Sequence, residues 1–229
     1  NGFMICKIAQ KHTFHFAAQK EGGLTMAENR IITIGREFGS GGHEIGNRLA
    51  TRLNIPLYDN NLIRMVAEKL DIREETARAV DETTLNSFLT GFVLEPIEQS
   101  SLRNGTEYVP PLNEQVYELQ CDIIRKLADR SSCIIVGRCA DYVLRDHGNC
   151  VNVFICADWE DRVKRIAEKY DISERKAADK IKKMDRERQH YYESHTGLEW
   201  GSIDSHHMLL NVSRLGMERA VDILEKIYR

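Results

Sequence analysis

The sequence predicts an α/β domain built on a central parallel sheet flanked by helices, on three observations. Short, almost wholly apolar runs rich in β-branched residues alternate with amphipathic stretches of helical period. The first run, Ile31-Ile32-Thr33-Ile34, passes directly into a glycine-rich turn, Gly35 to Gly42. That turn passes directly into a helical segment, which gives the strand–loop–helix–strand order that a βαβ unit requires.

The elements follow in order. Ile31 to Ile34 suits a strand buried on both faces. After the glycines, Ile45, Leu49 and Leu53 recur at four-residue spacing on one helical face. Ile55-Pro56-Leu57-Tyr58-Asp59 is a short second strand ending in a carboxylate, and Asn60 to Val80 follows as one helix with charged faces. Between Asp81 and Pro111 the punctuation by Gly91, Pro96, Gly105 and Pro110-Pro111 predicts short helices and loops beside a substrate cleft. Asn113 to Asp129 is a helix with Val116, Leu119, Ile123, Ile124 and Leu127 on one side. Cys133 to Val136 and Val151 to Ile155 are further buried strands, the former ending at Gly137-Arg138.

Asp158 caps the next helix and Asp161 adds negative charge to its first turn. On that helix Val163, Ile166, Ala167 and Tyr170 form the apolar face, while Arg162, Arg165 and Lys169 share another. Ser173 starts a strongly basic helix that runs to about His190. Leu209 to Val212 is a last strand, and Met217, Ala220, Val221, Leu224 and Ile227 define the closing helix.

Composition bounds the function. A net charge of -3 gives no whole-protein drive toward nucleic acid. No apolar run approaches the roughly 18 residues of a membrane span, and a cytoplasmic location is expected. The six cysteines form no C-x-x-C pair and lie mostly in or beside apolar runs, so reduced buried thiols are expected and no local metal-ligand spacing exists. Residues 1–25 have mixed polarity and end near Gly22-Gly23, ahead of Met26. They are expected to be an extension, with the folded domain spanning 26–229 and a lid around 158–200.

The candidate chemistry centres on Gly35-Arg36-Glu37-Phe38-Gly39-Ser40-Gly41-Gly42-His43. Small residues let backbone N–H groups converge on an anion, and the following helix adds its positive end. Arg36, Gly39, Ser40, Gly41, Gly42 and His43 are therefore the candidate nucleotide-phosphate residues. Against the usual G-x-x-x-x-G-K-[ST] pattern, Arg36 stands at the first glycine, Gly42 at the lysine and His43 at the hydroxyl. Both side chains that normally contact the phosphates and Mg²⁺ are replaced.

With ITIGREFGSGG and PLYD, IIVGRCADYVL, DRERQHYYESHTGLEWG and LLNVSRLGMERAVDIL, the chain resembles the cytidylate-kinase-like family from about Arg30 onward. The resemblance implies a P-loop NTPase three-layer fold with a helical lid, use of ATP and Mg²⁺, and transfer of a phosphoryl group to a nucleoside monophosphate or related small acceptor. It implies substrate contacts by Asp59, which follows the second strand, and by Arg64, one position from the family's substrate arginine. It also implies contacts by Gly137-Arg138, where Cys139 stands in place of an aspartate. Arg162 and Arg165 match the basic start of the lid helix, and Asp185, Arg186 and Arg188 resemble its end.

Guanidinium forks suit the spreading charge of a transferring phosphoryl group, so Arg36, Arg162, Arg186 and Arg188 together offer a replacement for the lysine. Positions 186 and 188 differ by about 200° on a helix. Arg188 continues the Ala177, Ile181, Met184 stripe and points inward. Asp59 is a candidate for water-mediated Mg²⁺ or substrate contact, or for capping the next helix. Tyr191, Tyr192, His195 and Trp200 stack on a base or pack the lid, and His206-His207 is expected to be a solvated turn. Two further readings stay open at this point, a nucleotide-binding regulatory module without turnover and a kinase of a non-nucleotide metabolite. The acceptor and the oligomeric state are not encoded legibly.

Overall fold

The computed structural model describes residues 29–59, 61–83 and 111–229. Residues 1–25, Asn60 and nearly all of the 81–111 stretch, with the readings placed on them, lie outside the described residues. The strands are β1 (Ile31–Arg36), β2 (Leu57–Tyr58), β3 (Cys133–Val136), β4 (Cys150–Cys156) and β5 (Met208–Asn211). They form one parallel sheet in the order β2-β3-β1-β4-β5, with Ile34 in register with Val136 on one side and Val153 on the other.

Period-two alternation sorts the strand residues onto two cores. Ile32, Ile34, Ile134 and Val136 face Ile45 and Leu49 of α1 (Gly42–Leu53) and, on the same layer, a helix near the C-terminus. Ile31, Cys133 and Ile135 face the opposite layer, formed by α2 (Asn61–Leu70), α3 (Glu74–Thr83), α4 (Leu112–Arg130) and the short α5 (Ala140–Val143). Contacts within that layer are α2 with α3 and both with α4. The chain continues through α6 (Trp159–Tyr170), α7 (Glu174–Thr196), α8 (Val212–Leu215) and α9 (Met217–Tyr228), and α9 packs beside α1 through Ala220, Val221 and Leu224. The architecture is therefore three-layered, with α6 and α7 packed on each other over the carboxyl edge of the sheet.

Several boundaries differ from the sequence expectation for identifiable reasons. The helix expected over 60–80 is two helices, broken at Asp71, which takes a left-handed conformation (φ 53°). The break lets Ile72 pack with Ile63, Ala67 and Ala77, a gain that helical continuity would forgo. Helix α7 runs six residues past His190 because Tyr191 and Tyr192 continue its buried side, and it stops at Gly197 (φ 69°). Strand β1 reaches Arg36 because Gly35 and Arg36 still pair with Phe154 and Ile155. Asp158 occupies the cap position of α6 but makes no side-chain cap bond; its carboxylate takes Asn211 Nδ2 at 2.9 Å and Arg214 Nη2 at 2.9 Å. Ser173 does cap α7, accepting from the Lys176 amide.

Leu49 is fully buried between α1 and the sheet. Leu49→Ala is expected to cost roughly 2–5 kcal/mol of unfolding free energy. Urea denaturation of parent and variant checks this, with the loss seen in the midpoint at an unchanged slope.

Candidate active site

The glycine loop takes its shape from two residues that need the left-handed region, Gly39 (φ 83°) and Gly41 (φ 89°). They turn the chain from the end of β1 into α1, whose first amides, Gly42, His43 and Glu44, have no carbonyl one turn back within the helix. Ser40 is fully buried and turned away from the loop mouth, its hydroxyl donating to the Glu37 carbonyl at 2.9 Å.

Helices α6 and α7 grip this loop from outside. Arg162 Nε donates to the Phe38 carbonyl at 2.9 Å, while its other nitrogens pair with Glu37 (3.1 Å) and Asp185. Asp185 in turn accepts from the Phe38 amide at 2.7 Å, and Arg165 donates to the Gly39 carbonyl at 2.8 Å. The Arg162 guanidinium, read from the sequence as a phosphate donor, is thus surrounded by two carboxylates and a carbonyl and is 6% exposed. Its geometry is that of a clamp holding the loop's outer wall.

A different cluster faces inward. Arg36 projects from the end of β1, with Nη2 3.5 Å from Asp59 Oδ1, and His43 Nε2 lies 3.2 Å from Asp59 Oδ2. Arg188 Nη1 donates to the Arg36 carbonyl at 3.1 Å and stacks its guanidinium 5.3 Å from the Phe38 ring centre. Burial, then repulsion from Arg188, pushes the Arg36 pKa down to about 9, with Arg138 acting in the same direction and Asp59 against it. Burial likewise lowers that of Arg188. A guanidinium keeps its proton at neutral pH even so, and the shift reflects cations that the fold solvates poorly.

These arginines border a cavity of about 410 Å³ at the carboxyl ends of β1, β3 and β4. Among the described residues, cationic side chains on its wall are Arg36, Arg78, Arg138, Lys180, Lys183 and Arg188, and the carboxylates are Asp141 and Glu187. Its floor is the turn after β3, where Gly137, Arg138 and Cys139 all have positive φ (74°, 58° and 53°). Two consecutive non-glycine residues in that region are strained, a pattern that gathers at functional sites.

The opposite wall is a polar relay that the sequence did not reveal. Tyr192 donates to Asp141 Oδ2 at 2.6 Å, and His206 Nε2 lies 3.9 Å from the same oxygen. His206 is buried, not a solvated turn residue: its ring meets Phe154 edge-on and its Nδ1 lies 2.9 Å from the Ser202 carbonyl. His207 is the exposed member of the pair. Tyr191, Tyr192 and Trp200 pack with Cys139 and Tyr117, and His195 stacks on Tyr117 at 3.8 Å. The burial of His206 depends on Phe154, 52 positions away, and no local pattern signals it.

Of the sequence candidates, Arg36, Asp59, His43 and Arg188 come together at the loop and Gly137 and Arg138 join them across the cavity. Arg64 does not; it is exposed on α2, 3.7 Å from Glu68. Arg186 is exposed on the far side of α7 from Arg188. Among the described residues no group of three or more His, Cys, Asp or Glu side chains is arranged to hold a metal ion. Asp59 is the carboxylate on the inner side of the loop, near Arg36 and His43, while Glu37 within the loop is turned to Arg162. None of the described helices is long and apolar enough to cross a membrane.

A five-stranded parallel sheet with flanking helices and a glycine loop between β1 and α1 defines a P-loop kinase-like fold. The cytidylate kinase-like family profile matches residues 31–214, and the chain belongs to that family. An uncharacterized protein from Eubacterium ventriosum ATCC 27560 superposes with a TM-score of 0.64 at 28% identity, over 86% of this chain and 97% of that one. Shikimate kinase from Bacteroides thetaiotaomicron matches at 14% identity and TM-score 0.47, covering 86% of this chain and 97% of its own. Shikimate kinase from Acinetobacter baumannii in complex with shikimate matches at 11% and 0.46, covering 88% and 93%. No curated protein matches the sequence.

Two outcomes follow from the geometry. Arg162→Ala leaves Glu37 and Asp185 without their shared cation and is expected to cost about 3–5 kcal/mol by urea unfolding. Asp141 has its pKa raised, first by burial and against the Tyr192 hydrogen bond. A raised carboxyl pKa stabilises the fold below the unfolded value of about 4, and that contribution is lost as pH rises from there through the raised folded value. The melting temperature of Asp141→Asn relative to the parent should therefore be more favourable at about pH 7.5 than at about pH 4. A difference that is flat with pH would contradict the buried carboxylate.

Proposed function

We propose that the chain transfers the γ-phosphoryl group of ATP to a small anionic acceptor, a nucleoside monophosphate or a similar phosphate-bearing compound. The observation that supports this is the gathering of cations, among the described residues, on a cavity that opens beside the glycine loop, at the carboxyl ends of parallel strands. Ligands of open α/β sheets bind at that edge. Among the described residues of the wall, cationic side chains outnumber carboxylates, which favours an anion over a neutral or cationic metabolite.

In this reading the triphosphate lies on the first amides of α1, and the acceptor occupies the cavity between Arg138 and the Asp141–Tyr192–His206 wall. The acceptor oxygen forms its bond to the γ-phosphorus as the bond to the ADP oxygen breaks. A phosphate acceptor at neutral pH attacks as an anionic oxygen, so no base is required for that step. Mg²⁺, when bound with the nucleotide, supplies charge neutralisation on the β- and γ-oxygens. Arg188, held against the Arg36 carbonyl and the Phe38 ring, is placed to stabilise charge on the transferring group.

The test is ADP formation from ATP across a panel of nucleoside monophosphates and other phosphorylated or carboxylated metabolites. Turnover with an anionic acceptor and none with neutral sugars or alcohols is expected. Arg188→Ala should lower kcat roughly 100-fold while changing ATP affinity much less. ATP binding with no turnover on any acceptor would identify a nucleotide-binding module instead.

A further inference from the structure

We propose that Arg36 is the phosphate-loop cation of this chain, reaching the nucleotide phosphates from the end of β1 in place of a lysine on the following helix. The assignment rests on the phosphoryl-transfer reading above and specifies how its nucleotide site works.

The stem of Arg36 comes first. Gly42 stands where the lysine of the usual pattern stands, and its backbone is ordinary right-handed helix, so unlike Gly39 and Gly41 it needs no glycine for its φ angle. What it needs is space. A Cβ at Gly42 would come 2.7 Å from Arg36 Cβ, 3.2 Å from Arg36 Cγ and 3.3 Å from Ile155 Cβ. The two positions are mutually exclusive: with Arg36 in place, no side chain fits at 42. Glycine is among the poorest helix formers, which makes its presence in the first turn informative.

The head of the same side chain requires a second clearance. It crosses the end of β3, where a Cβ at Gly137 would fall on Arg36 Nη1. Gly42 thus leaves room for the stem, while Gly137, a glycine already for its φ of 74°, lies beneath the guanidinium. The stem of Arg36 thus runs along the first turn of α1 and its guanidinium lies over the end of β3, with Arg188 and Arg138 as charged neighbours. The carboxylate against it is Asp59, at a distance too long for a strong pair and shared with His43. A side chain serving only to pair with Asp59 gains nothing from two more guanidinium groups close by. A phosphate gains from all of them, and a planar fork can meet it with two parallel hydrogen bonds.

The experiment compares ATP and adenosine binding by calorimetry, with melting temperature in the presence and absence of ATP, for the parent, Arg36→Lys, Arg36→Gln and the pair Arg36→Gly with Gly42→Lys. Arg36→Gln should lose ATP affinity by about tenfold or more, as expected for a lost charge-assisted contact, with adenosine affinity unchanged. Arg36→Lys should bind ATP more tightly than Arg36→Gln because the charge is kept, and more weakly than the parent because the fork is lost. Moving the cation to position 42 in the double variant should recover affinity over Arg36→Gly alone, together with the ATP-induced rise in melting temperature. If the double variant does not fold, the Lys and Gln variants decide. A parent that binds ATP with Arg36→Gln binding it equally well overturns this assignment alone. So does a folded double variant no better than Arg36→Gly. A parent that binds no nucleoside triphosphate overturns both this assignment and the proposed function.

Discussion

The contact between Arg36 and Asp59 joins the ends of two strands that are not neighbours in the sheet, since β3 lies between β1 and β2. At 3.5 Å it is a loose pair, and it cannot balance the charge around it, because Arg188 and Arg138 repel Arg36 from other sides. Burying two guanidinium groups such as Arg36 and Arg188 close together costs free energy. The sheet and its helices hold the cluster in place, and an anion bound there would offset that cost. The rest of the site follows from that imbalance. Gly42, whose φ does not call for glycine, leaves the room that the Arg36 stem occupies.

Around this unbalanced centre lies a balanced shell. Arg162 is matched by Glu37 and Asp185, and Asp158 by Asn211 and Arg214. Such satisfied pairs fix geometry and leave little charge for a ligand. The arginines over the loop thus differ in kind: Arg162 is held between two carboxylates, whereas Arg188 rests on a carbonyl and a ring. Exposure alone does not separate them, because Arg162 and Arg188 are both largely withdrawn from water. Counting carboxylate partners does.

That division explains how much was legible in the sequence. Alternating apolar runs placed all five strands, and four-residue spacing placed α1, α4, α6 and α9, because both patterns are local consequences of burial on a sheet. The glycine loop was legible for the same reason. The inward face of Arg188 followed from its stripe on α7. The commitment of Arg162 was not legible, since Glu37 lies 125 positions before it and Asp185 on the next helix. Asp141 and His206 were missed because their juxtaposition depends on how α5 and the segment before β5 meet over Phe154. The α2–α3 break was hidden by charged faces that continue on both sides of Asp71.

The most direct measurement is a crystal structure of the chain with a non-hydrolysable ATP analogue and Mg²⁺. The account predicts the β- and γ-phosphates on the first amides of α1, with Arg36 nitrogens about 2.7–2.9 Å from phosphate oxygens and Arg188 closing over them. Phosphates bound elsewhere, or bound at the loop with Arg36 still turned to Asp59, would contradict it.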